Sequence, residues 1–392
     1  MTTIVVGLGA MGSSTLYQLA RRGHPALGID RYRPPHAHGS THGETRVTRQ
    51  AIGEGEHLSP LAIRSHDIWR EIEHETGADL LTLTGCLIIS GPRAGAELHV
   101  PGFLETTLAA ARRYDIAHEL LDAAEIRRRY PAFHVGDDER GYFEPGAGFV
   151  RPERCVAAQL ELAARHGATL RRDETVLDVR PDGVGAQVRT NRGDYLADQV
   201  VLTAGPWLPE LLEPWYARLF RVTRQVLYWY APRGPIDPFL PDRFPVFIWE
   251  PAGLPEPIYG FPAIDGPAGG VKVASGEYGE PTMPREARRQ VSEAEISAMY
   301  ERLVARCLPE LSGRCVKAAT CLYTVTADGG FVIGRHPRLP QLMLVSPCSG
   351  HGFKHSAAIG EAVAEWIVEG RSRLDLDPFA LERLEPGPPD LG

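Results

Sequence analysis

The sequence predicts an α/β protein, α+β in part. A parallel-sheet domain drawn from separate stretches of chain is joined to a second domain built on an antiparallel sheet plus helices. Three observations predict this. The first thirty residues read as strand, glycine turn, helix and second strand. Strand and helix patterns return together near the far end, between Leu322 and Val368. Between them, residues 231–270 are crowded with proline and glycine yet hold Phe244, Phe247, Trp249, Tyr259 and Phe261. Such a stretch suits short strands and loops and excludes a long helix.

In chain order, Ile4–Val6 is the first strand, Gly7–Gly12 the turn, and a helix runs through Leu16 and Leu19 to Arg22, where Gly23 stops it. A second strand, Ala26–Ile29, ends at Asp30. Residues 31–57 read as loop. Helical periodicity covers Leu61–Glu75, Leu104–Arg113 and Pro152–His166. Strands are expected at 168–170, 175–179, 186–189 and 200–203. A helix over Glu293–Cys307 precedes strands at 322–325, 331–333 and 342–345 and a last helix opened by Ser349–Lys354. At 392 residues the chain exceeds what one hydrophobic core serves. The expected division is 1–80, 150–217 and 318–392 for the first domain, with 81–149 and 218–317 for the second.

Net charge is −8, from 42 basic and 50 acidic side chains, which argues against nucleic acid or an anionic membrane as partner. The one tight basic run, Arg127-Arg128-Arg129, reads as the solvated end of a helix. Six cysteines without CxxC pairing argue against a disulfide framework or structural metal, so no metal is expected. Apolar strand residues begin at Ile4, leaving no room for a charged leader, and a cytoplasmic location is the expectation.

Gly7-x-Gly9-x-x-Gly12 follows a strand and opens a helix. Gly7 allows the tight turn, Gly9 lets backbone approach a pyrophosphate, and Gly12 lets helix and strand pack closely. Ala10 and Met11 then present N–H groups at the positive end of the helix dipole. Asp30, with Arg31 beside it, stands where a carboxylate accepts from ribose hydroxyls. The first domain is therefore Rossmann-like, and this motif alone does not separate NAD from FAD.

A second stretch is more specific: Pro34-Pro35-His36-x-His38-Gly39-Ser40-x-His42-Gly43-Glu44-Thr45-Arg46-x-x-Arg49, followed by Gly53-Glu54-Gly55. With Cys321-Leu322-Tyr323-Thr324 and Ser349-Gly350-His351-Gly352-Phe353-Lys354, it closely resembles the monomeric sarcosine oxidase and N-methyltryptophan oxidase family, in the family's order and over nearly the whole chain. The resemblance implies FAD as cofactor. It places His42 and Arg46 along the isoalloxazine, counts Ser40 and Thr45 among the cofactor contacts, and joins Cys321 covalently to the ring. It sets Gly350, His351, Gly352, Phe353 and Lys354 at the ring's electron-accepting edge. Val176 and the Ala204-Gly205-x-Trp207 turn match further FAD contacts. Arg49 and Lys354 resemble the pair that binds the substrate carboxylate. Lys272 resembles an oxygen-activating lysine, and Tyr259 a substrate-pocket tyrosine.

The implied activity is FAD-dependent oxidation of secondary (N-methyl or cyclic) amino acids by O2 in a monomer, releasing amino acid, formaldehyde and peroxide. The alternatives are a primary or cyclic amino-acid oxidase, a dehydrogenase of the same fold, or a non-catalytic dinucleotide-binding regulator. Departures bear on the substrate. Ala274-Ser275-Gly276 stands where the family carries a histidine, and His355 where an aromatic is common. Asp328-Gly329-Gly330-Phe331 is unusually glycine-rich. Ile248-Trp249 stands where side-chain selectivity would be set, and Trp249 is expected to narrow or floor the substrate pocket.

Overall fold

The computed structural model describes residues 1–92, 100–254, 256–276 and 279–384. Pro255 of the proline-rich stretch and the last eight residues of the expected first domain (385–392) lie outside them.

The N-terminal strand Thr3–Val6 is buried throughout and sits inside a six-stranded sheet. Its order is Val332–His336, Leu339–Ser346, Gln199–Leu202, Thr3–Val6, Ala26–Ile29 and Thr169–Arg171. All neighbours are parallel except the first two. Strands covered on both faces read as continuous apolar runs, which is why Ile4, Val5 and Val6, or Val200, Val201 and Leu202, show no alternation. Helices Ala10–Arg21, Ser59–Thr76, Pro152–Arg165 and Ser356–Glu369 pack one core with Val5, Val201 and Val345.

The second layer is an eight-stranded sheet that starts at the edge strand Leu311–Val325 and runs through Arg221–Pro232, Val271–Ser275 and Ile258–Phe261. It continues through Val246–Trp249, Cys86–Ser90, Arg140–Glu144 and Glu119–Asp122. An antiparallel sheet was expected; one junction, Val246–Trp249 beside Cys86–Ser90, is parallel. The strand Leu311–Val325 pairs with Arg221–Pro232 along its length and runs unbroken across the expected boundary at 317/318. A small sheet of Arg46–Thr48, Gly148–Val150 and Leu81–Thr82 bridges the layers, so residues 31–57 are not all loop.

The helix expected over 293–307 begins at Glu293 with a Ser292/Glu295 capping box, then widens to a π turn over Tyr300–Val304. Arg127, Arg128 and Arg129 do end a helix, Ala123–Arg129, paired to Asp137, Glu125 and Glu119. Trp249 corrects an expectation. Strand alternation turns Ile248 toward the cleft between the layers and Trp249 the other way, where its indole donates to Glu139 Oε1 at 2.8 Å. Trp249 is core, not pocket wall.

Candidate active site

At one end of that cleft the glycine turn is sterically obligatory. Gly7 has φ +88°, and a Cβ there would meet Thr203 O at 2.7 Å; a Cβ on Gly12 would lie 1.8 Å from Gly7 O. Gly9 is different. Its Cβ would meet only Thr41 Oγ1, at 3.5 Å, so the space before it is open. The helix Ala10–Arg21 has no side-chain cap, and Ala10 N reaches only Thr41 Oγ1 at 3.4 Å. Ala10 and Met11 line the cleft, leaving helix N–H groups to whatever anion enters. Asp30 is fixed by accepting from Leu8 N (2.6 Å) and Tyr32 N (2.8 Å). Arg31 pairs with Glu210 at 3.6 Å and lies 5.7 Å from the Trp207 ring. Val176, Ala204 and Gly205 complete this end.

The middle is the turn 40–46. Arg46 is held by Thr45 O (2.8 Å) and Ser40 O (2.7 Å). Ser40 Oγ and His42 Nε2 are buried without a hydrogen-bond partner among the described residues; Ser40 lines the cleft, where a carbonyl or nitrogen of a bound ring would meet its demand. Burial first, then Arg46, pushes the His42 imidazole down to about 4, so it is neutral at physiological pH. Lys272, 2% exposed, donates to Gly43 O (2.8 Å), Thr45 O (2.9 Å) and Thr45 Oγ1 (3.1 Å) and sits 4.5 Å from the Phe261 ring centre. These glycines, helix N–H groups, orphaned atoms and cations fit a flavin dinucleotide.

The far end is a cluster of buried charge. Arg49 Nη2 donates to Glu54 Oε2 at 2.5 Å, and Lys354 Nζ stands 3.5 Å from Glu54 Oε1 while donating to His351 O at 2.7 Å. Arg49 lies 5.0 Å from the Phe103 ring, and its Nη1 donates to Ala51 O. Burial pulls the Lys354 ammonium down to about 8; Glu54 opposes this and Arg49 adds to it. Gly350 has φ +82°, and a Cβ on Gly352 would lie 1.6 Å from Pro347 O, so the loop before the last helix also needs its glycines. Phe353 stacks on Trp69 with an interplanar angle of 5°.

Between middle and far end, Tyr259 and Tyr323 share a hydroxyl contact of 3.3 Å, and Ile248 and Phe261 add apolar wall. Cys321 stands just behind, 1% exposed, packed with Leu227, Trp229 and Ala274. Burial raises its thiol pKa against the pull of Arg46 and Lys272. His355 is buried beside Phe331, its ring nitrogens unpartnered among the described residues, and does not line the cleft.

The expected residues thus converge on one cleft, except that Gly12, His42 and Cys321 are not among its lining residues. Glu54, Tyr323 and Phe103 were not singled out as site residues. The first two stand inside the quoted motifs. Phe103 had a signal only through Gly53, whose Cβ would strike its ring at 2.8 Å.

Residues 2–366 match the family model described as FAD dependent oxidoreductase. A monomeric sarcosine oxidase of Streptomyces avermitilis is 41% identical over 387 residues, covering 98% of each chain. An N-methyl-L-tryptophan oxidase of Escherichia coli is 31% identical, covering 97% of this chain and 99% of its own. Among solved structures, a variant of NikD, described as an unusual amino acid oxidase essential for nikkomycin biosynthesis, superposes with a TM-score of 0.82 at 27% identity, over 96% of each chain.

Proposed function

This chain belongs to the FAD dependent oxidoreductase family, alongside the monomeric sarcosine and N-methyl-L-tryptophan oxidases, and from that premise we propose that it oxidises a secondary amino acid with O2 as acceptor. The observation that carries the reading is the single cleft in which a glycine-built dinucleotide cradle leads, past Lys272 and Tyr259, to the cation pair Arg49 and Lys354.

FAD, when bound, supplies a two-electron acceptor that O2 can reoxidise. Gly7, Gly9 and Gly12, the N–H groups at Ala10 and Met11, and Asp30 hold its dinucleotide end. His42 and Arg46 would stand along the ring, where a cation such as Arg46 would favour the negative charge of the reduced state. Arg49 and Lys354 bind the substrate carboxylate. Glu54 already occupies both cations, so an incoming carboxylate competes with an internal one for the same donors. Tyr259, Tyr323 and Ile248 enclose the amine end and exclude water. No side chain need take a proton from a neutral amine, because positioning and electrostatics favour its oxidation. Lys272 supplies a fixed positive charge toward reduced oxygen.

Attachment of FAD through Cys321 is part of the proposal, supported by the thiol's place behind the cleft beside Tyr259. Six free cysteines suit a reducing cytoplasm, and the monomeric relatives support a single working chain. No helix among the described residues is long and apolar enough to cross a membrane.

The test is a peroxide-release screen over sarcosine, other N-methyl amino acids, pipecolate, proline and D-amino acids. Peroxide from at least one secondary amino acid is expected. A colourless protein that binds NAD, or yellow protein silent on every amine, overturns the reading.

A further inference from the structure

Lys272 does not aim itself. Its ammonium is held by a turn whose own conformation is unfavourable: Gly43 has φ +95° and Glu44, which is not glycine, has φ +72°. A non-glycine residue in the left-handed region costs about 1 kcal/mol or more and persists only where its surroundings impose it. Two contacts impose it. Glu153, in the first turn of the helix Pro152–Arg165, accepts on one oxygen from Gly43 N (2.6 Å) and Glu44 N (3.1 Å). The Glu44 carboxylate in turn pairs with Lys317. Lys317, Trp229, Lys272 and Phe261 are direct partners across four neighbouring strands, so the turn lies over a row of alternating cations and rings.

We propose that Glu153 is a positioning residue for Lys272: its carboxylate fixes the N–H side of the turn whose carbonyls orient the ammonium for the oxygen step. The proposal rests on the reading of Lys272 given above. In that step two electrons pass from the reduced cofactor to O2. With them go one proton from the reduced ring and one from solvent, so that O2 leaves as hydrogen peroxide.

The charge of Glu153 contributes as well as its geometry. Burial and then Arg46 drive the Lys272 pKa well below its ordinary value, while the carboxylates of Glu153 and Glu44 oppose them; His42 and the Cys321 thiol, also near, are uncharged. A plain structural role is available to Glu153, since an acid in a first helical turn contributes about 0.3–1 kcal/mol through the helix dipole. That role predicts no selective effect on oxygen.

The test uses holoenzyme reduced anaerobically with dithionite and mixed with O2, beside reduction of oxidised enzyme by a saturating amine. Glu153→Ala should slow reoxidation about tenfold or more with reduction changed less than about twofold, since misplacement of a fixed charge acts on one step. Glu153→Gln keeps an acceptor for both N–H groups. Its reoxidation should stay near wild type at the acid end of the pH profile, and the loss of rate with rising pH should begin at lower pH, because one charge that keeps Lys272 protonated is gone. Amide exchange at Gly43 and Glu44 should quicken in Glu153→Ala and not in Glu153→Gln. Equal slowing of both half-reactions, or none, overturns the proposal. If Glu153→Ala does not fold, an unshifted pH profile in Glu153→Gln does the same. The dithionite arm needs no amine, so a wild type that no amine reduces sinks the substrate reading and leaves this test intact.

Discussion

Arg49 and Glu54 form a closed pair: Nη2 meets Oε2 at 2.5 Å with both side chains almost wholly buried, and Lys354 stands 3.5 Å from the other oxygen. This buried carboxylate occupies the same two cations that the proposed function gives to the substrate carboxylate.

Arg49→Ala should therefore weaken carboxylate binding. A charge-assisted hydrogen bond contributes about 1.5–3 kcal/mol, so losing the guanidinium fork should raise KM by about 10²-fold or more. Steady-state kinetics on the best amine checks this. Glu54→Gln should act oppositely on a simple competitor, lowering the Kd of acetate measured from the flavin spectrum; a raised Kd would deny that Glu54 competes.

The pH dependence follows from Lys354, whose ammonium is pushed down to about 8 by burial. It is charged below that pH and neutral above. Acetate affinity should be full near pH 7 and fall as pH rises through about 8. In Lys354→Arg the fall should disappear from this range, because a guanidinium does not titrate there. Acetate titrations from pH 6.5 to 9.5 would show it.

Lys272→Met should leave reduction by amine near wild type and slow reoxidation about 10²-fold, the size expected when one preorganised charge is lost. Stopped-flow oxygen mixing measures both halves. An unchanged oxygen rate would remove the residue's role.

Cys321→Ala should yield protein whose yellow colour stays in the supernatant after acid precipitation, where the wild type should precipitate yellow. Wild-type flavin released in full would disprove the linkage without touching the rest.

Gly12→Ala should abolish FAD binding or folding, since its Cβ would lie 1.8 Å from Gly7 O. The flavin-to-protein absorbance ratio reads this directly. The same change at Gly9 has steric room in the protein alone, so its effect should be confined to cofactor affinity.

The parallel sheet was legible because its strands are uniformly apolar and its turn glycines leave a fixed spacing. That Arg49, Lys272 and Lys354 would come together in one cleft was legible through motif context; in isolation each reads as a solvated cation. What sequence concealed is long-range. The strand Arg221–Pro232 mixes buried Thr223, Arg224 and Gln225 with apolar residues, because Arg224 finds Glu295 and the carbonyls of Arg288 and Gln290 far along the chain. No local period announces such a strand. Which of Ile248 and Trp249 faces the cleft depended on a register that only sheet pairing sets. Glu153 was invisible for the same reason, since its partners sit 109 and 110 residues away.

The ribbon formed by Arg221–Pro232 and Leu311–Val325 has a mechanical consequence. Cys321 lies within it, and Gln225 is its direct partner across the pairing. A cofactor tethered there, as proposed, would be moored to a ribbon of two long paired strands, while its phosphates would rest on the opposite layer. Melting either layer alone would strain that mooring, so heat should dismantle both together, in one sharp event rather than two.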